Sequence, residues 1–288
     1  MIKKLIKKIE TYISDLYYLW LWSIYKGNGI NKDLRNPQII VSLTSFPGRI
    51  QIVHKTIRTL LIQKNVKPDK IELWLASEQF RDKKLPSEII ELENYGLSIC
   101  WTSDIRSYKK LIPSLLANNN DIIVTCDDDV YYKRDWLQKL YVSYQKHPMD
   151  IQCHRATMIY LANNEWNSKG GGKFFYKGAS FLNKLVGIGG VLYPPHSLHP
   201  DAVNIRLFMK IAPTNDDIWF WLMAVRNNRK IRVVDGNYHR PVDVLGSEIT
   251  PKLNHINDHG QKLFWEQFYN ILERYPEIVE LLKNNDAK

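Results

Sequence analysis

Apolar residues fall into two spacings along this chain, and the spacings alternate. Short, mostly β-branched runs at 38–43 (Gln-Ile-Ile-Val-Ser-Leu), 70–76 (Lys-Ile-Glu-Leu-Trp-Leu-Ala), 97–102 and 121–124 have the pattern of strands buried on both faces. Between them, 53–63, 85–95 and 107–118 carry helical periodicity. Pro68-Asp69 breaks the first of these, and Pro86 and Gly96 bracket the second. Strands separated by helices in this way predict a parallel, Rossmann-like sheet with right-handed crossovers. Further on, 135–144 predicts a helix, 151–161 a returning strand, and 163–178, with Gly170-Gly171-Gly172, a mobile loop. Residues 187–195 (Gly-Ile-Gly-Gly-Val-Leu-Tyr-Pro-Pro) place glycines where a backbone turns or lies close to a ligand, although a glycine-rich bulge fits as well. Thr214 or Asn215 caps a strongly apolar helix running through Met223, and 230–234 is a strand leading to His239. Residues 261–275 form an amphipathic helix stopped at Pro276, with a short helix beyond; no segment repeats another.

The first 25 residues differ in kind. Ile2, Leu5, Ile6, Ile9, Ile13, Leu16 and Trp20 recur at helical spacing beside Lys3, Lys4, Lys7 and Lys8, and Tyr17, Tyr18, Trp20, Trp22 and Tyr25 cluster after them. The uncharged run after Asp15 is shorter than the ~20 apolar residues of a membrane span. No small-residue cleavage site follows, which argues against a secretory signal. Two readings stay open: a helix lying in the headgroup layer of an anionic cytoplasmic leaflet, or one packed on its own domain or a second subunit. Residues 27–37 read as a linker.

Charge narrows the partners. Forty Lys and Arg against thirty Asp and Glu give a formal net charge of +10, which suits a nucleotide, a membrane surface or nucleic acid. No zinc-finger spacing or RNA-binding aromatic signature is present, so a nucleic-acid partner is not expected. Cys100, Cys126 and Cys153 are odd in number and widely spaced, as reduced, buried thiols of a cytoplasmic protein would be.

The chemistry centres on residues 121–132. A buried strand at 122–124 runs into Asp127-Asp128-Asp129, and three adjacent carboxylates repel one another unless cations or strong donors offset them. At the carboxyl end of a parallel strand a hard divalent metal is the natural counter-charge. Strand alternation would put Asp127 and Asp129 on one face and Asp128 on the other. A solvated acidic turn accounts for the cluster about equally well. Two other segments bear on the choice: the polar turn Thr44-Ser45-Phe46-Pro47-Gly48-Arg49, and Asp216-Asp217 in the first turn of the apolar helix. The helix dipole favours acids there, but capping explains one aspartate better than two.

Five segments, in this order and spacing, carry a resemblance. They are Ile-Val-Ser-Leu-Thr-Ser-Phe-Pro-Gly-Arg, Asp-Ile-Arg-Ser-Tyr-Lys-Lys-Leu-Ile-Pro, Cys-Asp-Asp-Asp-Val, Gly-Gly-Val-Leu-Tyr-Pro-Pro and Asn-Asp-Asp-Ile-Trp-Phe. Over residues 37–241 the chain resembles GT-A-fold glycosyltransferases, close to the family 2-like enzymes of bacterial surface polysaccharide (capsule and lipopolysaccharide) synthesis. The resemblance implies an α/β fold with a mostly parallel sheet flanked by helices. It implies that Asp127 and Asp129 form the family's Asp-x-Asp, serving a nucleotide-sugar donor, a UDP-sugar foremost, with Mn²⁺ or Mg²⁺. It also implies that Asp217, with Asp216 beside it, is the catalytic base; the family's usual Glu-Asp is Asp-Asp here. A direct displacement using one base inverts the anomeric centre. The Gln-x-x-Arg-Trp motif of processive members is missing, so one sugar is added per encounter.

On this reading Ser45, Arg49, Asp104, Asp127 and Lys109 or its neighbour Lys110 surround the nucleotide, and His239 completes the metal shell or touches phosphate. Tyr193 and Trp219 are core residues before they are sugar platforms. The acceptor is a glycan or lipid-linked glycan, and the protein is cytoplasmic, peripheral on the inner face of the plasma membrane. Residues 1–36 are an amphipathic helix and linker, 37–255 the transferase domain (37–132 its nucleotide half, 133–255 its acceptor and catalytic half), and 256–288 a helical extension. Two competitors are a nucleotidyltransferase on a similar sheet and an inactive membrane-associated scaffold. The former would carry a glycine-rich, basic loop after the first strand, where Thr44–Arg49 has one glycine and one arginine.

Overall fold

A computed structural model describes residues 2–170, 174–234, 241–249 and 262–286. Four parallel strands build one half of its main sheet: β1 (Ile39–Thr44), β2 (Lys70–Ala76), β3 (Leu97–Thr102) and β4 (Ile122–Thr125). All but one residue of β1 and every residue of β4 are buried, as β-branched runs covered on both faces must be. The crossovers are α2 (Val53–Leu61), a short α3 (Ser87–Ile90) prolonged by a 3₁₀ turn at Glu91–Tyr95, and α4 (Ile112–Ala117). Gly96, with φ of +110°, ends the second of them in the left-handed conformation. The expected helix at 107–118 begins as a 3₁₀ turn over Arg106–Lys110, because Pro113 lacks the N–H that a continuous helix would use there.

The second half of the sheet is mixed. Its order is β3-β2-β1-β4-β11-β6-β12-β9, where β6 is Ile151–Cys153, β9 Ala179–Ser180, β11 Val191–Tyr193 and β12 Ile231–Val233. β11 runs antiparallel to both β4 and β6. The single strand expected at 151–161 is two strands in different sheets. The chain leaves the main sheet after Cys153, and β7 (Ala156–Ala162) joins a three-stranded sheet with β8 (Glu165–Lys169) and β10 (Asn183–Leu185). The expected mobile loop at 163–178 therefore begins as a hairpin. Asn163 and Asn164, with φ of 50° and 61°, supply the left-handed pair that such a two-residue turn needs. Residues 171–173 of that segment lie outside the described residues. A two-stranded ribbon of β5 (Val130–Tyr131) and β13 (Val242–Asp243) follows the acidic triplet.

Helix α5 (Trp136–Lys146) and α6 (Ile205–Ile211) flank the sheet, and α7 (Asp216–Arg226) runs through the core with Ile218–Val225 wholly buried. Two closing helices, α8 (Lys262–Arg274) and α9 (Glu277–Asp286), cover it. Trp219 and Tyr193 belong to this core, as their apolar company suggests; the Trp219 indole N–H donates to the Ala202 carbonyl. Helix α1 (Ile2–Ser23) lies apart on α2 and the β5–β13 ribbon. Gly190 bears directly on the fold: its φ is +92°, and an added Cβ would lie 2.4 Å from the Trp136 ring. Gly190→Ala is expected to cost on the order of 2–4 kcal/mol, a strained φ added to overpacking, read as a lowered unfolding midpoint.

Candidate active site

The acidic triplet, the Asp216-Asp217 pair and the turn after β1 converge at the carboxyl end of the main sheet. Strand alternation ends with Thr125, so it does not govern the triplet. Instead Asp128 and Asp129 share one guanidinium: Arg49 lies 2.6 Å from Asp128 Oδ1 through Nη1 and 3.2 Å from Asp129 Oδ2 through Nη2. The Ser45 hydroxyl donates to Asp128 Oδ2 at 2.6 Å, and the Thr56 hydroxyl to the Asp128 carbonyl at 3.0 Å. Burial raises the Asp128 pKa despite the opposing pull of Arg49 and Ser45.

Asp127 turns elsewhere. Its carboxylate is partly exposed and accepts from Lys110 Nζ at 3.1 Å, while its backbone N–H donates to the Tyr132 hydroxyl at 2.9 Å. Lys110 is the cation that joins the two acidic groups. Its ammonium also lies 2.9 Å from Asp216 Oδ2 and 4.0 Å from Asp217 Oδ1. Burial would lower its pKa, but Asp127, Asp216 and Asp217 together raise it well above the ordinary lysine value.

Local sequence makes this convergence possible. Asn215 caps α7 by accepting from the Ile218 N–H, which sets both acids in the first turn. The segment carrying Lys110 is fastened to the chain before α7: the Tyr108 hydroxyl donates to the Ala212 carbonyl at 2.6 Å, Arg106 to the Pro213 carbonyl at 3.1 Å, and the Ser107 hydroxyl to Asp216 Oδ1 at 2.8 Å. Asp217 Oδ2 accepts the Gly187 N–H at 3.0 Å. An added Cβ at Gly187 would lie 2.8 Å from Asp217 Oδ1 and 2.9 Å from Lys110 Nζ, so the glycine leaves the room in which acid and cation meet. Burial, then the neighbouring Asp216, raises the Asp217 pKa against the pull of Lys110. Gly187→Ala is expected to leave the fold largely intact while lowering turnover by at least about tenfold, since a small misplacement at a reacting centre is costly; steady-state kinetics beside a melting curve would check it.

The other sequence-derived candidates fall as follows. Ser45 and Arg49 sit on Asp128 and Asp129. Lys109 is buried with its ammonium 2.6 Å from Asp104 Oδ1, and Gln79 donates to Asp104 Oδ2 at 2.7 Å, so these two face one another at the end of β3. His239 lies outside the described residues. In the sequence Lys110 stands only as one cation among several, Gly187 is one of the glycines expected to turn or to lie close to a ligand, and Ser107 carries no assigned role. The available signal for Lys110 was a lysine inside the apolar run around Leu111 and Ile112.

The donor set tells which cation would fit. Among the described residues no group of three or more His, Cys, Asp or Glu side chains could cage an ion. Asp127 and Asp129 offer carboxylate oxygens only, the hard ligands that Mg²⁺ or Mn²⁺ takes one or two at a time when phosphate oxygens complete the shell.

No protein-family model matches the chain, and no curated protein sequence matches it. Solved structures do. The mannosyltransferase PcManGT from Pyrobaculum calidifontis, in complex with GDP-Man and Mn²⁺, superposes with a TM-score of 0.51 over 98% of this chain and 79% of that one, at 10% identity. The chain has a GT-A-like glycosyltransferase fold. Residues 1–349 of S. aureus TarS in complex with UDP-GlcNAc give a TM-score of 0.49 at 12% identity, covering 85% of this chain and 70% of that one.

Proposed function

We propose that this GT-A-like protein transfers one sugar, with inversion, from a nucleoside-diphosphate sugar to a glycan or lipid-linked glycan acceptor in bacterial surface polysaccharide synthesis, working at an anionic membrane surface of the cytoplasm. The observation that carries the reading is Lys110, a buried cation within 4.0 Å of carboxylates from both acidic groups. Acids held on one cation are close enough to act on one donor and one acceptor. A structural neighbour that binds GDP-Man with Mn²⁺ supports the donor class and the ion.

Asp127 and Asp129 would hold the divalent ion, and such an ion offsets the charge of a leaving diphosphate. The protein's own groups do the rest. Arg49 keeps Asp128 and Asp129 from repelling the donor end of the site apart. Lys110 adds positive charge beside the place where the diphosphate leaves. Asp217 takes the proton from the acceptor hydroxyl. Burial raises its pKa, and a stronger base removes that proton more readily. Asp216, bound by Ser107 and Lys110, holds the pair in register.

A donor panel tests the reading. UDP-, GDP- and CMP-sugars with Mn²⁺ are scored for slow donor hydrolysis and for a raised unfolding midpoint. At least one diphosphate sugar should respond on both scores; a panel with no response on either overturns the assignment and favours an inactive scaffold. With the responding donor, the acid limb of kcat/KM should sit above the ordinary carboxylate range, because activity needs Asp217 ionised and burial raises its pKa. An acid limb at the ordinary aspartate value would point to another base.

A further inference from the structure

Helix α1 has two faces that do different things. Its inner face holds the domain with polar and aromatic groups. Asp15 pairs with Lys55 at 2.8 Å and accepts from the Tyr131 hydroxyl. Tyr18 stacks on Tyr131 with ring centroids 4.9 Å apart and donates to the Tyr132 carbonyl. Lys7 reaches Asp243 on β13 at 2.7 Å, and Trp22 packs against Tyr95 with Arg58 over its ring. Tyr131 and Tyr132 stand two and three residues after Asp129. Tyr132 itself receives the Asp127 N–H on its hydroxyl, and its own N–H donates to Thr59. The inner face therefore grips the stretch of chain that carries the acidic triplet.

The outer face is largely exposed. Leu5, Ile6, Ile9, Tyr12, Ile13, Leu16, Tyr17, Leu19 and Trp20 are 46–65% exposed on one helix. Residues 6, 9, 13, 16 and 20 repeat at helical spacing opposite Thr11, Asp15, Tyr18 and Trp22. A continuous apolar stripe of this size is rarely left in water. Its charge says what covers it. The helix carries Lys3, Lys4 and Lys8 beside Lys7, which pairs with Asp243, and of its two acids Asp15 pairs with Lys55, so lysines outnumber acids on it. A second copy would bring the same lysines against these; an anionic headgroup layer complements them, and Trp20, Tyr12 and Tyr17 suit the same depth. No described helix is long and apolar enough to cross a membrane.

We propose that α1 is a rigid bracket: its outer face lies in the headgroup layer of an anionic bilayer, while its inner face braces the acidic triplet at a fixed attitude to that surface. The bracket deepens the membrane-surface part of the proposed function, and it predicts that the acceptor is presented by the membrane. The test uses the full chain and needs neither donor nor acceptor, so its failure is separate from a failure of the transferase reading. Large vesicles of phosphatidylcholine with phosphatidylglycerol, and of phosphatidylcholine alone, are sedimented with wild-type protein and with an Ile13→Glu/Leu16→Glu variant. Wild type should pellet with the anionic vesicles and be released by salt. The variant should bind roughly a hundredfold more weakly, about tenfold per aliphatic side chain withdrawn, with an unchanged melting midpoint. An Asp15→Ala/Tyr18→Ala variant should still pellet, yet exchange the amide hydrogens of Asp127 and Tyr132 at least about tenfold faster. Either of two results overturns the bracket: a wild type that stays in the supernatant as a dimer split by the Glu substitutions, or triplet amides whose exchange ignores the inner-face changes.

Discussion

Replacing Asp217 with Asn should lower transfer by about a hundredfold to ten-thousandfold while leaving donor binding close to wild type. The side chain keeps its shape, and the amide oxygen can still accept the Gly187 N–H that holds Asp217 at 3.0 Å. What disappears is the ability to take a proton. Kinetics with the responding donor, beside equilibrium binding of the same donor, separate the two effects. An Asp216→Asn variant is a useful contrast. Its carboxylate accepts from Ser107 and pairs with Lys110 at 2.9 Å, so its loss should act through displaced neighbours and shift both KM and kcat. If Asp217→Asn turned over normally while Asp216→Asn were dead, the roles would exchange.

Lys110→Met should be the most disruptive single change at the site. The ammonium is enclosed, and its removal takes away the cation that Asp127, Asp216 and Asp217 share. Breaking a buried pair by deleting one partner costs roughly 3–5 kcal/mol, which in a domain of this size lowers the melting midpoint by about 10 °C. The pH dependence gives the cause away. Burial already raises the Asp217 pKa, and without Lys110 the main pull opposing that rise is gone, so Asp217 holds its proton more readily folded than unfolded. The variant then binds more protons when folded, and its stability relative to wild type should recover as the pH falls toward the carboxylate range. A loss of stability independent of pH would mean that Lys110 serves only as packing.

Much of the fold was legible because its strands are short, apolar and buried on both faces. Residues 70–76 and 97–102 form β2 and β3 with the expected bounds, since turn residues punctuate both ends. The sequence was least informative where pattern and topology part company. Residues 151–161 read as a single strand, yet the chain changes sheet after Cys153, and no local period records a change of partner. The hairpin at Asn163-Asn164 was readable from turn chemistry, but the glycines beyond it drew attention to a loop.

At the site, types of residue were easier to see than their partners. Acidic clusters stand out in a sequence because they are costly without compensation. The compensating groups do not: Arg49 and Lys110 look like surface cations until the fold shows which carboxylates they meet. Alternation does not reach the triplet, because the strand ends at Thr125. It could not show that Asp128 and Asp129 share Arg49 while Asp127 meets Lys110.

The central claim is that the two acidic groups divide the work on one donor and one acceptor. Calorimetric binding of UDP and GDP, with and without Mn²⁺, to wild type, Asp127→Asn and Asp217→Asn tests it most directly. Wild type should bind one of the two nucleotides only with the metal present, Asp217→Asn should bind it alike, and Asp127→Asn should lose the metal-dependent part by at least about tenfold. Binding that ignores both Mn²⁺ and Asp127, or that fails equally in both variants, would contradict the division.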